Sequence, residues 1–222
     1  MKSVTFAALA ASASLAAPAS ADVLFSTFGP GDSVAFPLSY AVGGEDPGGF
    51  YGGRFNNGFA FSVFGPDDYV VDSIEVAGRL FGGDNAFRFS IFTAVPATIG
   101  VEPGALVAST VASGFNSGLN GGQPSISEGL LAPGTVLENG RVYFLVGEAT
   151  DPLGEFAWAQ SPLPGNDGRT TWASRVGDPA TTPWTISDSR SAAFRINGSF
   201  IPAPGTAAAL GLIGIAATRR RR

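Results

Sequence analysis

From Ser73 to Leu80 the side chains alternate: Ile74, Val76 and Leu80 fall on one side of an extended backbone, and Glu75 and Arg79 fall on the other. Successive side chains of a strand point to opposite faces, so this pattern predicts a strand with one buried face. Residues 87–91 repeat it, with Phe87, Phe89 and Ile91 on one face and Arg88 and Ser90 on the other. Between the two runs lies Gly82-Gly83-Asp84-Asn85, residue types that tolerate positive φ, so the pair reads as a hairpin. Further strands are predicted over 23–28, 34–38, 59–64, 106–111, 142–146, 156–158, 170–174 and 192–196, each bounded by Gly, Pro, Asn or Asp. Tyr143-Phe144-Leu145-Val146 is apolar on both faces, which predicts a central strand, whereas residues 178–189 read as a loop. About ten short strands without an amphipathic helical stretch between them predict an all-β fold, a single antiparallel β-sandwich of jelly-roll-like order.

Composition supports this and narrows the chemistry. The 222 residues include 31 Gly, 16 Pro and 18 Phe and are only 14% charged, a mixture suited to short strands and turns rather than long helices. No cysteine is present, so disulfides, thiolate nucleophiles and cysteine metal sites are excluded. No histidine is present either, which removes the commonest general base and the usual zinc ligand. Lys2 and Arg219 to Arg222 lie in the terminal segments; without them eight basic residues face eighteen acidic ones. Such an acidic body cannot neutralise phosphates, so nucleic acid is excluded as a partner.

The two ends read as address labels. Lys2, an apolar alanine-rich run over 4–17 and the small-residue site Pro18-Ala19-Ser20-Ala21 have the order of a secretory signal. Signal peptidase would recognise Ala19 and Ala21, and the mature chain would begin at Asp22. At the other end Ile201-Pro202-Ala203-Pro204-Gly205 leads into the uncharged run 206–218 and then Arg219, Arg220, Arg221 and Arg222. Proline suits a helix start, and clustered arginines stay on the cytoplasmic side. A helix from Gly205 to Thr218 spans only ~21 Å of a ~30 Å hydrocarbon core, which makes it a marginal anchor. The chain thus divides into a signal peptide (1–21), a β-sandwich (22–200) and a tail (201–222) with a short apolar helix.

The order of proline motif, apolar helix and arginine cluster over 201–222 resembles the PEP-CTERM sorting signal, with Pro202 and Pro204 matching and Ala203 in place of the family's glutamate. The resemblance implies an exosortase-type membrane protease or transpeptidase as partner, in bacteria that make extracellular polysaccharide. A plain anchor that is never cleaved has the same ingredients. The body resembles the choice-of-anchor domains, type R, through Gly58-Phe59-Ala60-Phe61, Val71-Asp72-Ser73-Ile74-Glu75-Val76, Phe89-Ser90-Ile91-Phe92, Pro103-Gly104-Ala105-Leu106 and Arg141-Val142-Tyr143-Phe144. That likeness implies a β-rich envelope or matrix module without assigned catalysis.

Three kinds of site are conceivable. Tyr51, Trp172 and Trp184 are candidates for stacking on a glycan of the extracellular polysaccharide; Trp158 and Trp172 sit in apolar strand contexts that suit a core, and Trp184 in a loop is the better candidate. Asp67, Asp68 and Asp167 offer oxygen ligands for structural calcium, although Asp beside Gly is also ordinary turn chemistry and no twelve-residue calcium loop is present. Glu75, Glu148 and Glu155 would have to supply any carboxylate pair of a glycosidase. The expected function is a non-catalytic, cofactor-free envelope or matrix protein, ahead of a carbohydrate-binding module and, third, a glycosidase.

Overall fold

The computed structural model describes residues 21–118, 122–163, 170–189 and 191–201. The signal segment up to Ser20 and the tail from Pro202 onward, with the expected apolar helix, lie outside the described residues. Fourteen strands follow in order: β1 Asp22–Ser26, β2 Ala35–Gly43, β3 Phe55–Ser62, β4 Tyr69–Gly82, β5 Ala86–Pro96, β6 Val101–Ser113, β7 Asn116–Ser117, β8 Ser125–Leu130, β9 Val136–Leu137, β10 Val142–Ala149, β11 Glu155–Gln160, β12 Thr170–Val176, β13 Thr185–Ser189 and β14 Phe194–Phe200. The fold is all-β and sandwich-like, and every ladder is antiparallel except the short β4–β7 contact. Among the described residues no helix is long and apolar enough to cross a membrane.

One layer is built on β4. Its first part pairs with β14 (Ile74 with Ile196) and its last part with β11 (Leu80 with Phe156), while β8 lies along its other edge. Strand β1 extends β14, and β2 extends β11. The other layer runs β13, β12, β3, β10, β5, β6. The layers are not separate sheets: Gly43 of β2 pairs with Phe55 of β3, so one sheet curls back on itself. On the far side β6 and β8 approach through side chains, Thr110 Oγ1 donating to the Leu130 carbonyl at 2.7 Å.

The alternation assigned the faces that meet the main core correctly, but the opposite faces are not simply solvated: Arg79 and Ser90 are buried as well. Ile74, Val76, Phe87, Phe89 and Ile91 are fully buried in one core with Phe59, Phe61, Phe156, Trp158 and Phe194. Trp158 spans the layers, its ring 5.2 Å from Phe59 and 5.1 Å from Phe89, and its Nε1 donates to the Ala193 carbonyl at 3.1 Å. Burying a side chain of this kind contributes about 1.5–3 kcal/mol. The doubly apolar β10 is central, between β3 and β5, and its Phe144 and Val146 are covered on the outer face by a smaller cluster that includes Phe92, Val101, Trp184 and Ile186.

Two local expectations are corrected. Residues 73–80 and 87–91 form no hairpin, because β4 and β5 belong to opposite layers. The glycine segment between them is a corner from one layer to the other: Gly83 has φ of 68°, and a Cβ there would lie 2.4 Å from the Gly154 nitrogen. Partners for β5 are β6, next in the chain, and β10. The stretch 178–189 is also not wholly loop. Thr185–Ser189 is β13, paired with β12 and packed through Ile186 on the outer cluster. Its Thr-Ile-Ser-Asp-Ser sequence has one strongly apolar residue, too weak a pattern to announce an edge strand.

Candidate functional site

The ends of the sandwich differ in kind. At one, Asp22 opens β1 opposite Gly198, and the Ile201 amide donates to the Asp68 carbonyl at 2.9 Å. Both ends of the described body therefore lie at this terminal end. Strand β4 begins there with Tyr69 and runs to Gly82 at the other end. That opposite end is made of loops 44–54, 83–85, 150–154 and 177–184. They are tied together by Gly44 N to Gly154 O (2.8 Å), Gly177 N to Arg54 O (2.9 Å) and Asp84 N to Asp151 Oδ2 (3.1 Å).

Between these loops opens a cleft of about 440 Å³ lined by Glu45, Arg54, Gly177 and Asp178. Arg54 and Glu45 form an ion pair at 2.9 Å across the loop that joins β2 to β3. Arg175, two positions before Gly177 on β12, lies opposite Asn56 of β3. Its guanidinium pairs with Glu148 at 3.6 Å, donates to the Pro179 carbonyl at 3.0 Å and rests 4.2 Å from the Trp184 ring centroid. Burial holds Arg175 below its ordinary arginine value, with Glu148 opposing that shift, Arg54 adding to it and Asp178 opposing it. A cation on an indole face in a partly desolvated setting is favourable by about 0.5–2 kcal/mol. Glu148 in turn sits opposite Arg88 of β5, so a charged row crosses this end of the outer face.

Within that row the Asn56 side chain is fully buried, and among the described residues neither its Oδ1 nor its Nδ2 has a partner; the same holds for Arg175 Nε. A buried amide without partners costs about 1–3 kcal/mol.

Beside the cleft stands an aromatic shelf. Phe50, 66% exposed, stacks on Phe81 at 4.6 Å and 17°, with Tyr51 edge-on at 5.1 Å. Glu155, first residue of β11 and only 5% exposed, fastens this loop by accepting the Phe50 amide at 2.7 Å and the Tyr51 amide at 2.8 Å. The Tyr51 phenol is pushed up to about 12, mainly by burial; its Ser39 hydrogen bond and Arg79 act against this and Glu155 adds to it.

The candidate aromatics do not converge on one surface. Trp184 packs into the outer-face cluster and carries the Arg175 guanidinium on its ring. Trp172 points inward, Nε1 donating to Asn57 Oδ1 at 2.7 Å, and packs against the main core; Trp158 is fully buried. Tyr51 stands on the aromatic shelf. Of the calcium candidates, Asp68 lies at the terminal end and accepts the Asn139 amide at 2.9 Å, Asp67 is its half-buried neighbour there, and Asp167 lies outside the described residues. Among the described residues no group of three or more acidic side chains converges to hold a metal. Glu75, half-buried on the other face of β4, pairs with Arg195 at 2.9 Å and accepts from Asn197 at 2.9 Å. Ala19, Pro202, Ala203, Pro204, Gly205 and Arg219 to Arg222 lie outside the described residues.

Phe50, Arg54, Asn56 and Arg175 carry the site's geometry and had no signal as a set. Each belongs to an ordinary turn or strand segment, and only the pairing of β3 with β12 unites three of them. Chemically, the cleft offers an arginine donor, carboxylate acceptors and a nearby indole, an arrangement suited to a hydroxyl-rich, largely uncharged ligand. The chain matches no protein-family model and no curated protein.

Proposed function

We propose that this protein is an exported, non-catalytic module of the cell envelope or extracellular matrix. Its signal peptide would be removed after Ala21, and its tail would act as a PEP-CTERM-like sorting signal with a short apolar helix. The observation that carries the reading is the antiparallel pairing of Asp22 with Gly198, which brings both ends of the body to the same end of the sandwich. A body tethered there holds its cleft end away from the membrane. Along the fourteen residues of β4 the two ends are ~40 Å apart at a rise of about 3.3 Å per residue. Repeated passage of the chain between the layers supports the jelly-roll-like description.

Expression of the full chain in a bacterium that carries an exosortase, followed by mass spectrometry of envelope and medium fractions, tests this. A mature start at Asp22 and loss of the arginine cluster are expected; a chain retained in the cytoplasm with its leader intact overturns the proposal. A tail left intact on an exported chain would favour the plain anchor.

The cleft supports a second reading, a carbohydrate-binding module for extracellular polysaccharide. Retardation of the protein in polysaccharide-containing gels, abolished by Arg54→Ala and Trp184→Ala, is the expected result. Equal retardation of parent and both variants would remove it. The carboxylates named for a glycosidase do not meet in the cleft: Glu155 is occupied with two backbone amides and Glu75 with Arg195.

A further inference from the structure

The terminal end carries exposed apolar side chains that the fold does not explain. Phe64, at the tip of the loop joining β3 to β4, is 77% exposed, and Phe200, the last residue of β14, is 45% exposed. They share one tip. A Cβ on Gly65, which follows Phe64, would lie 2.9 Å from the Phe200 ring, which itself packs 4.9 Å from Tyr69. Pro66 is exposed at the same tip, and Val142, paired with Ser62, is exposed beside it. The tip is braced, since Asn139 Nδ2 donates to the Gly65 carbonyl at 2.7 Å and its Oδ1 accepts the Gly65 amide at 3.0 Å. Large apolar side chains on a braced, exposed tip mark a contact surface.

Chain length says what covers it. Only Ile201 to Gly205 separate Phe200 from the apolar run 206–218. Whatever path they take, the steps from Phe200 to Thr206 reach at most about 21 Å, and the two prolines shorten that reach. Once the apolar run enters a bilayer, the terminal end has no means of standing farther away than this.

We propose that Phe64 and Phe200 form an interfacial contact that seats the terminal end of the domain on the lipid surface next to its own tail. The proposal rests on the tethering read from that tail. Aromatic rings are favoured at the headgroup boundary, and two anchoring elements hold where one short apolar helix is marginal. Asp22, Asp68 and Glu138 are exposed at or near the same end, with Arg141 paired to Glu138, so the matching surface is zwitterionic rather than anionic.

The absence of cysteine allows a single label. The full chain carrying Pro66→Cys, or Phe50→Cys at the cleft end, would be labelled with a polarity-sensitive fluorophore and reconstituted into vesicles of phosphatidylethanolamine and phosphatidylcholine. Flotation then reports tethering. Expected are a blue shift and quenching by lipid spin-labelled near the headgroups at position 66, neither at position 50, and loss of both when Phe64→Ser is added to the position-66 chain. A floating chain whose label at 66 is as accessible to aqueous iodide as that at 50 overturns the lipid contact while leaving tethering intact. A chain that does not float overturns the tethering and the contact with it. Phe64 is exposed, so Phe64→Ser should leave the thermal melt unchanged, and an unchanged melt ties any loss of signal to the contact itself.

Discussion

Replacing Glu155 by Ala should loosen the cleft end specifically. The carboxylate is nearly buried and accepts the backbone amides of Phe50 and Tyr51, and the loop is wrapped so closely around it that a Cβ on Gly49 would fall 2.3 Å from Oε1. Hydrogen bonds to a charged group contribute about 1.5–3 kcal/mol each, but the freed amides sit on a surface loop and regain part of that from water, so a loss of about 3 kcal/mol for the pair is expected. At about 2–4 °C per kcal/mol for a chain of this size, the melting temperature should fall by ~6–12 °C. The Phe50 and Tyr51 amides should exchange about a hundredfold faster, since each 1.4 kcal/mol is tenfold, and the slowest core amides should accelerate by no more than that factor. Glu155→Gln, which keeps one acceptor oxygen, should lose about half as much. A melt within ~1 °C of the parent together with unchanged exchange at Phe50 and Tyr51 would refute the latch.

Three further outcomes follow from the packing. Gly78→Ala places a methyl group 2.1 Å from the Phe156 ring where β4 passes from β14 to β11, and should cost at least ~1–3 kcal/mol by overpacking; a neutral melt would show that this crossing has slack. Alkaline titration followed by phenolate absorbance should lose one late-titrating component, near 12, in Tyr51→Phe, while Tyr69 and Tyr143, also raised by burial, still titrate late. Because the folded value of Tyr51 lies above the unfolded value of 10.0, the stability it contributes is complete below pH 10 and lost as pH rises to about 12, and a Tyr51→Phe chain with the parent's alkaline denaturation profile would contradict this. Asn56→Leu replaces a buried amide without partners among the described residues by an apolar group of similar size and should raise stability by about 1–3 kcal/mol in the unliganded protein; a fall would show that the amide is satisfied by water or ligand.

The candidate site was legible only in fragments. Trp184 stood out as an aromatic in an expected loop; in the fold it packs into the outer cluster and stacks with Arg175. Arg175 and Asn56 were invisible as a pair: 119 positions apart in the chain, they meet because β12 docks antiparallel on β3. Glu148 and Glu155 looked alike in the sequence, yet one joins a charged row with Arg175 while the other is enclosed by a loop.

Alternation by itself determined which side of each strong strand faces the main core. Phe87, Phe89, Ile91, Ile74 and Val76 all face the core as the period of two requires, because the pleat is a property of the local backbone and needs no partner to express it. The charge balance and the missing histidine and cysteine likewise bound the chemistry without reference to any fold. Strand pairing is different in kind. Whether Gly82 to Asn85 turn back beside β4 or cross to the other layer depends on what already occupies the edges of β4, and β14, β11 and β8 occupy them. Those partners arrive from as far as 131 positions along the chain, as Phe200 does opposite Tyr69. Closing such loops costs entropy that only the assembled aromatic core offsets, so tertiary structure alone decided the pairing, and with it the cleft at one end and the exposed phenylalanines at the other.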